Sequence, residues 1–278
     1  MVPHIASFVV ACTLTFALSA SVLAQPPSDD DRIWTDFVGW LKTAPPTTQV
    51  ASVLDLYVKH LASRGVAPDE IGPTMNRVLV MMRDRPDAWQ LIFDRLYTTP
   101  GATFKTQPTA LLMGAVEALP PGRALDVGMG QGRNAVFLAL RGWHVTGIDL
   151  SPEGLASARA QATRGGVSLT AVQADASTFD YGTARWDLIV ITYGPGFVGD
   201  APFAERLSTA LAPGGLLVIE SFASDRGARG RKPVDLDPAE LLRVYGSFRI
   251  VRFEDTDAVS EWDPQVTRLV RLVAQKKP

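Results

Sequence analysis

The chain has 278 residues, 46% of them hydrophobic and 20% charged, with a formal net charge of −2. That length buries one good core plus a small accessory unit, and the near-neutral charge lacks the basic field that nucleic-acid binding needs. The single cysteine, Cys12, excludes a disulfide within the chain and a cysteine-based metal site.

The segment Ile5 to Leu23 is apolar and uncharged, and Val22 and Ala24 are small residues at positions −3 and −1 before Gln25. Polar, acidic sequence follows: Pro26, Pro27, Ser28, Asp29, Asp30 and Asp31. Residues 1–24 therefore read as a signal peptide, and the protein as exported, periplasmic or secreted. The positive end before the apolar run is weak, with only the amino terminus and His4, and the run's length borders on a membrane span. A membrane-anchored protein with this segment uncleaved, or a cytoplasmic one with a misassigned start, are the alternatives. Cleavage would remove Cys12 and leave no thiol.

Residues 25–107 form a helical region. Ile33, Trp34, Phe37, Val38 and Leu41 recur at helical spacing, as do Val53, Leu54, Leu56, Tyr57 and Leu61. Two more apolar groups, Val78 to Met81 and Trp89 to Phe93, continue the pattern. Prolines at 45, 46, 68, 73, 86 and 100 are expected to divide the region into short helices. The Met and Trp positions are assigned to the core rather than to ligand contact, and His60 to the surface or a cap. The whole region is expected to pack on the following domain as a lid.

From residue 108 to 278 strands and helices alternate. Strands are predicted near 122–127, 143–149, 168–173, 186–192, 214–222, 247–254 and 265–275. Helices are predicted near 108–118, 132–141, 152–164, 201–211 and 237–245. Such alternation is the signature of an α/β sheet with helices on both faces. The last connection is too short for a helical crossover, so the final strand should be antiparallel.

Within this domain Leu125-Asp-Val-Gly-Met-Gly-Gln-Gly132 places three glycines between an apolar run and a helical pattern. Glycines admit positive φ and bring backbone close to a ligand, and the helix behind them offers unpaired N–H groups. The glycines alone are ambiguous, since Gly130, Gly132 and Ala135 also fit the dinucleotide register. Three acids narrow the reading. Asp126 stands before the first glycine, where it can reach a cation. Asp149 ends the next run and can accept from both hydroxyls of a ribose, although by itself it reads equally as a turn residue before Ser151-Pro152. Asp175 ends the third run and can accept from an exocyclic amine, although turns also attract aspartate. A cation, a ribose and an adenine without a pyrophosphate suit that set. Asp187, at the start of the next strand, reads as structural.

The order of motifs resembles that of class I S-adenosylmethionine-dependent methyltransferases, over about Pro108 to Lys277. Asp126-Val-Gly-Met-Gly-Gln-Gly132 resembles the loop that wraps the methionine part, and Gly147-Ile-Asp-Leu-Ser-Pro152 the ribose segment. Asp175-Ala176 resembles the adenine pair, Trp186 to Pro195 the fourth strand and the loop over the sulfonium, and Leu211 to Glu220 the turn and fifth strand. The resemblance implies a Rossmann-like seven-stranded sheet with an antiparallel last strand. It also implies S-adenosyl-L-methionine as cofactor, held by Asp126, Gly128, Gly130, Gly132, Asp149, Asp175, Ala176 and Thr192, with no metal.

Methyl transfer from a sulfonium is an in-line displacement, served by alignment and exclusion of water. No base is evident in the sequence: His144 opens the second strand, away from the binding end, and Tyr193 is the best-placed residue to line an acceptor pocket. Thr192-Tyr-Gly-Pro195 departs from the Asn/Asp-Pro-Pro-Tyr loop of enzymes acting on planar amides and adenine, so the expected partner is a small-molecule substrate. A Cβ at Gly130 is expected to enter ligand space. A nicotinamide-dependent oxidoreductase and a non-catalytic exported nucleoside-binding protein are the rival classes.

Overall fold

The computed structural model describes residues 28–47, 50–100, 106–225, 227, 234–260 and 266–278. The expected signal segment lies outside the described residues. No described helix is long and apolar enough to cross a membrane.

Four helices come first: α1 (Asp29–Leu41), α2 (Val50–Ser63), α3 (Pro68–Asp84) and α4 (Pro86–Thr98). The Ser28 side chain caps α1 by accepting from Asp31 N at 3.1 Å. Prolines Pro68 and Pro86 open α3 and α4, where a missing N–H costs no bond. Pro73, expected to end a helix, instead lies inside α3. It sits only in the second turn, so its ring leaves a single carbonyl unbonded near the amino end, and the flanking turns carry the helix through. Trp34, Phe37, Leu41, Tyr57, Met82 and Ile92 form one buried cluster of these helices. His60 stacks on Trp40 and Tyr57, so it is a packing residue rather than a cap.

The rest is α5 (Ala110–Val116), β1 (Arg123–Val127), α6 (Arg133–Leu140), β2 (His144–Asp149), α7 (Pro152–Arg164), β3 (Thr170–Gln173) and β4 (Trp186–Thr192). A single 3₁₀ turn (Gly196–Gly199) precedes α8 (Ala201–Ala210), β5 (Leu211–Phe222), α9 (Pro238–Val244), β6 (Arg249–Val259) and β7 (Val266–Gln275). The sheet order is β3-β2-β1-β4-β5-β7-β6. β7 pairs antiparallel with both β5 and β6, and the other pairs are parallel.

Strand alternation explains the layers. Leu125 and Val127 of β1, Ile189 and Ile191 of β4, and Leu217 and Ile219 of β5 face one core, shared with α8 and α9. Ala124, Leu188, Val190, Leu216 and Val218 face the other, covered by α5, α6 and α7. The fold is therefore the Rossmann-like sheet with helices on both faces, and its carboxyl edge at β1, β2 and β4 gathers the chemically interesting residues. There α4 packs against α7, the Ser151 hydroxyl bonds Asp94 of α4, and Arg83 of α3 pairs with Asp200 before α8.

Candidate active site

The β1–α6 turn is built from its glycines. Gly128, Gly130 and Gly132 have φ of 72°, 52° and 84°, a region that L side chains rarely adopt. The N–H groups of Gly128 and Met129 both donate to Ile148 O, at 2.8 and 3.0 Å, which ties the turn to the end of β2. The three glycines then differ in what a side chain would meet. A Cβ at Gly132 would lie 2.7 Å from Ala158 of α7, so this glycine allows helix contact. One at Gly130 would strike the Tyr97 hydroxyl, which corrects the expectation that it would enter ligand space. One at Gly128 would meet nothing within 4 Å. Gly128 is thus the glycine whose bare face borders open space.

Asp126 is 1% exposed, and its Oδ2 accepts no hydrogen bond from the described residues. Burial pushes its carboxyl up to about 7, opposed by the Arg133 guanidinium and raised further by Asp149. An orphaned buried carboxylate oxygen beside open space awaits a donor or a cation. Asp149, 9% exposed, accepts from Gly130 N through Oδ2 and from Ser151 N through Oδ1, both at 2.8 Å. Burial raises its carboxyl, while those two N–H groups hold it down. Each oxygen keeps a further lone pair for a ligand hydroxyl. Asp175 accepts from Ser177 N at 2.8 Å, shaping the turn after β3. Thr192 Oγ1 accepts from Asn134 Nδ2 at 3.0 Å.

A cavity of about 310 Å³ joins these groups, within the size range of small-molecule sites. Asp126, Gly128, Gly130, Asp149, Asp175, Ala176 and Thr192 all line it, whereas Gly132 does not. Tyr193 also lines it, is 9% exposed, and adopts a φ of 53°. Its hydroxyl is already committed, donating to Glu220 Oε1 at 2.7 Å. Asp187 is far from this edge, accepting from Arg123 N at 2.7 Å, and His144 opens the opposite end of β2.

Several lining residues were not singled out from the sequence. Met82 and Trp89 reach the cavity as well as the helical core, so the assignment of the Met and Trp stripe to core alone is corrected. Trp89, Phe93 and Tyr97 recur every four residues along α4 with rings stacked at 5.9 Å, a spacing visible in the sequence. Burial raises the Tyr97 hydroxyl well above its ordinary value. Asn134 bridges Thr109 N and Thr192, a pairing with no local signal. Among the described residues no group of acids, histidines or cysteines is placed to hold a metal.

Residues 124–215 match the family described as a methyltransferase domain. The chain is 28% identical over 175 residues to hemagglutinin 1 of Eikenella corrodens, covering 58% of this chain and 57% of that protein. It is 36% identical over 119 residues to trans-aconitate 2-methyltransferase of Methylobacterium radiotolerans, covering 42% and 44%. The matches therefore span about half the length of these relatives. TehB of Haemophilus influenzae superposes with a TM-score of 0.54 at 18% identity, over 68% of this chain and 67% of that one, which speaks to the fold. The cofactor such a domain takes is S-adenosylmethionine. An orphaned Asp126 oxygen for a cationic centre, a bare Gly128 face and a buried Asp149 with spare lone pairs fit that molecule, and residues 124–215, which carry the methyltransferase-domain match, lie on a sheet with the class I methyltransferase fold.

Proposed function

We propose that the protein transfers the methyl group of S-adenosylmethionine to a small-molecule acceptor. The observation that carries this reading is Asp126: a buried carboxylate with an unanswered oxygen suits a sulfonium or ammonium and repels a pyrophosphate. The same feature counts against the nicotinamide reading. Asp149 would take the ribose hydroxyls, Asp175 and Ala176 the adenine, and the Gly128 backbone the methionine part. Small acceptor size is supported by the roof that α3 and α4 place over the cavity, anchored at Asp94–Ser151 and Arg83–Asp200, because a polymer would have to pass beneath it. The name of the trans-aconitate enzyme, which specifies a small acid, points the same way.

When bound, the cofactor supplies the activated methyl group. The chain's own residues orient the acceptor, and the roof excludes water. We further propose that residues 1–24 direct export. The test of function is mass spectrometry of ligand carried by the purified protein, followed by calorimetry with S-adenosylhomocysteine and NAD and a screen of small acceptors. Binding of S-adenosylhomocysteine but not NAD, with turnover of an acceptor, is the expected result. NAD binding would overturn the cofactor assignment, and cofactor binding without any turnover would favour a non-catalytic binding protein.

A further inference from the structure

We propose that Tyr193 and Glu220 form the proton-accepting pair of the site and that the methyl acceptor is a neutral hydroxyl compound, an alcohol or a phenol. This rests on the methyltransferase reading above and specifies its acceptor. Tyr193 follows β4 directly, and its φ of 53° is an outlier for an aromatic residue. Such strain persists only where surroundings impose it, and it collects at functional sites. Here the surroundings are specific. Tyr193 N donates to Glu220 O at 2.7 Å, its ring packs 5.1 Å from that of Phe222, and the Arg133 guanidinium lies 6.0 Å from the ring centre. The hydroxyl donates to Glu220 Oε1 at 2.7 Å, so its oxygen keeps lone pairs to accept from a molecule in the cavity that Tyr193 lines.

Glu220 is 1% exposed near the carboxyl end of β5, directly after the apolar run Leu216 to Ile219, a costly place for a carboxylate. Its other oxygen accepts from Arg271 Nε at 2.8 Å, and Arg271 also reaches Glu254 at 3.2 Å. A chain of polar groups thus runs from the cavity wall through Tyr193, Glu220 and Arg271 to the partly exposed Glu254. A glycine at 193 and an apolar residue at 220 would serve the fold with less strain and no buried charge.

The chemistry follows. The acceptor O–H gives its proton to the Tyr193 oxygen as the Tyr193 proton passes to Glu220 Oε1. The acceptor oxygen forms its bond to the methyl carbon, and the electron pair of the breaking carbon–sulfur bond stays on sulfur. The cationic donor and the Glu220 carboxylate end as a neutral thioether and a carboxylic acid, which later loses its proton to solvent. Amines, thiolates and carboxylates do not need this relay, because they attack without losing a proton in the transfer step; a neutral hydroxyl is a weak nucleophile and must give up its proton as its bond to carbon forms.

The test uses the full chain with Y193F and E220Q. With S-adenosylmethionine and a panel of alcohols, phenols, amines, thiols and carboxylates, turnover should be confined to hydroxyl acceptors. Y193F should lower kcat by about 10²-fold, the ordinary worth of general-base catalysis, with KM little changed, and should lower Tm because Glu220 Oε1 loses its donor. A second readout needs no turnover: 4-nitrophenol added to the S-adenosylhomocysteine complex should show a shifted absorbance titration that Y193F abolishes. Turnover of amines, thiols or carboxylates alone, an unchanged kcat in Y193F, or a probe titration indifferent to Tyr193 would each overturn the pair. Should E220Q fail to fold for want of its Arg271 partner, Y193F decides alone. Loss of S-adenosylhomocysteine binding by the unmodified protein would instead strike at the methyltransferase reading itself.

Discussion

The backbone N–H of Gly130 donates to Oδ2 of Asp149 at 2.8 Å, so the glycine turn and the acid ending β2 form one hydrogen-bonded unit. Asp149 therefore has two roles that a substitution removes together. Asp149→Ala should weaken S-adenosylhomocysteine binding by about 1.5–3 kcal/mol, the range for bonds to a charged group. Asp149→Asn should do nearly as badly, since one carboxylate oxygen becomes an NH₂ that faces the N–H of either Gly130 or Ser151. Calorimetry showing Asn close to wild type would remove Asp149 from the ribose site.

Asp126 gives a pH dependence with a definite sign. Burial raises its carboxyl from 3.8 to about 7, so between those values the folded chain holds more protons than the unfolded one. The cofactor-free protein should accordingly lose stability as pH climbs through that window and level off above it. Cofactor binding runs the other way, because the cation favours the ionised carboxylate. Affinity should rise about tenfold per pH unit below 7 and flatten above. Asp126→Asn should flatten both curves. Calorimetric titrations from pH 5 to pH 8 check the pair; a flat wild-type affinity would mean that Asp126 does not face the charge.

The glycines make separable predictions. Gly128→Ala adds a methyl to open space at φ 72°, so it should cost only the left-handed strain of about 1–2 kcal/mol while blocking the cofactor. Gly132→Ala drives a methyl against Ala158 at 2.7 Å and should lower Tm more than affinity. Gly130→Ala strikes the Tyr97 hydroxyl, so Tyr97→Phe should restore part of its loss. Thermal melts and S-adenosylhomocysteine titration of the four variants separate these outcomes, and equal cofactor affinity in Gly128→Ala would contradict the cradle assigned to that residue.

The strands were legible because alternation and short apolar runs fix them locally: β1, β2, β4 and β7 begin and end within about two residues of expectation. The acids at their carboxyl ends were legible for the same reason, since strand position determines which edge a residue reaches. What escaped was set by distant packing. The 58-residue separation of Asn134 and Thr192 is larger than any local pattern spans, and their 3.0 Å contact exists only once β1 and β4 pair. Pro73 reads as a helix end by residue type alone, whereas its place in the second turn of α3 lets the helix run through it. Tyr193 was visible as a wall residue, but its bond to Glu220 depends on β4 lying beside β5 with Thr192 opposite Glu220.

The first described element is α1, and its cap is the Ser28 side chain, which accepts from Asp31 N. Asp30 then pairs with Arg77 of α3, and Asp31 with Arg85 at the junction of α3 and α4. The cap and ion pairs named here join residues between Ser28 and Arg85, so a chain starting at Gln25 retains all of their members. Cleavage between Ala24 and Gln25 should thus yield a protein that folds and binds S-adenosylhomocysteine as tightly as the full chain. N-terminal sequencing of the native protein, with fractionation, checks it. Gln25 at the terminus supports export and raises the question of cofactor supply outside the cytosol. An intact Met1 in membranes would show an anchor, and an intact Met1 in the soluble cytosolic fraction would sink the export proposal.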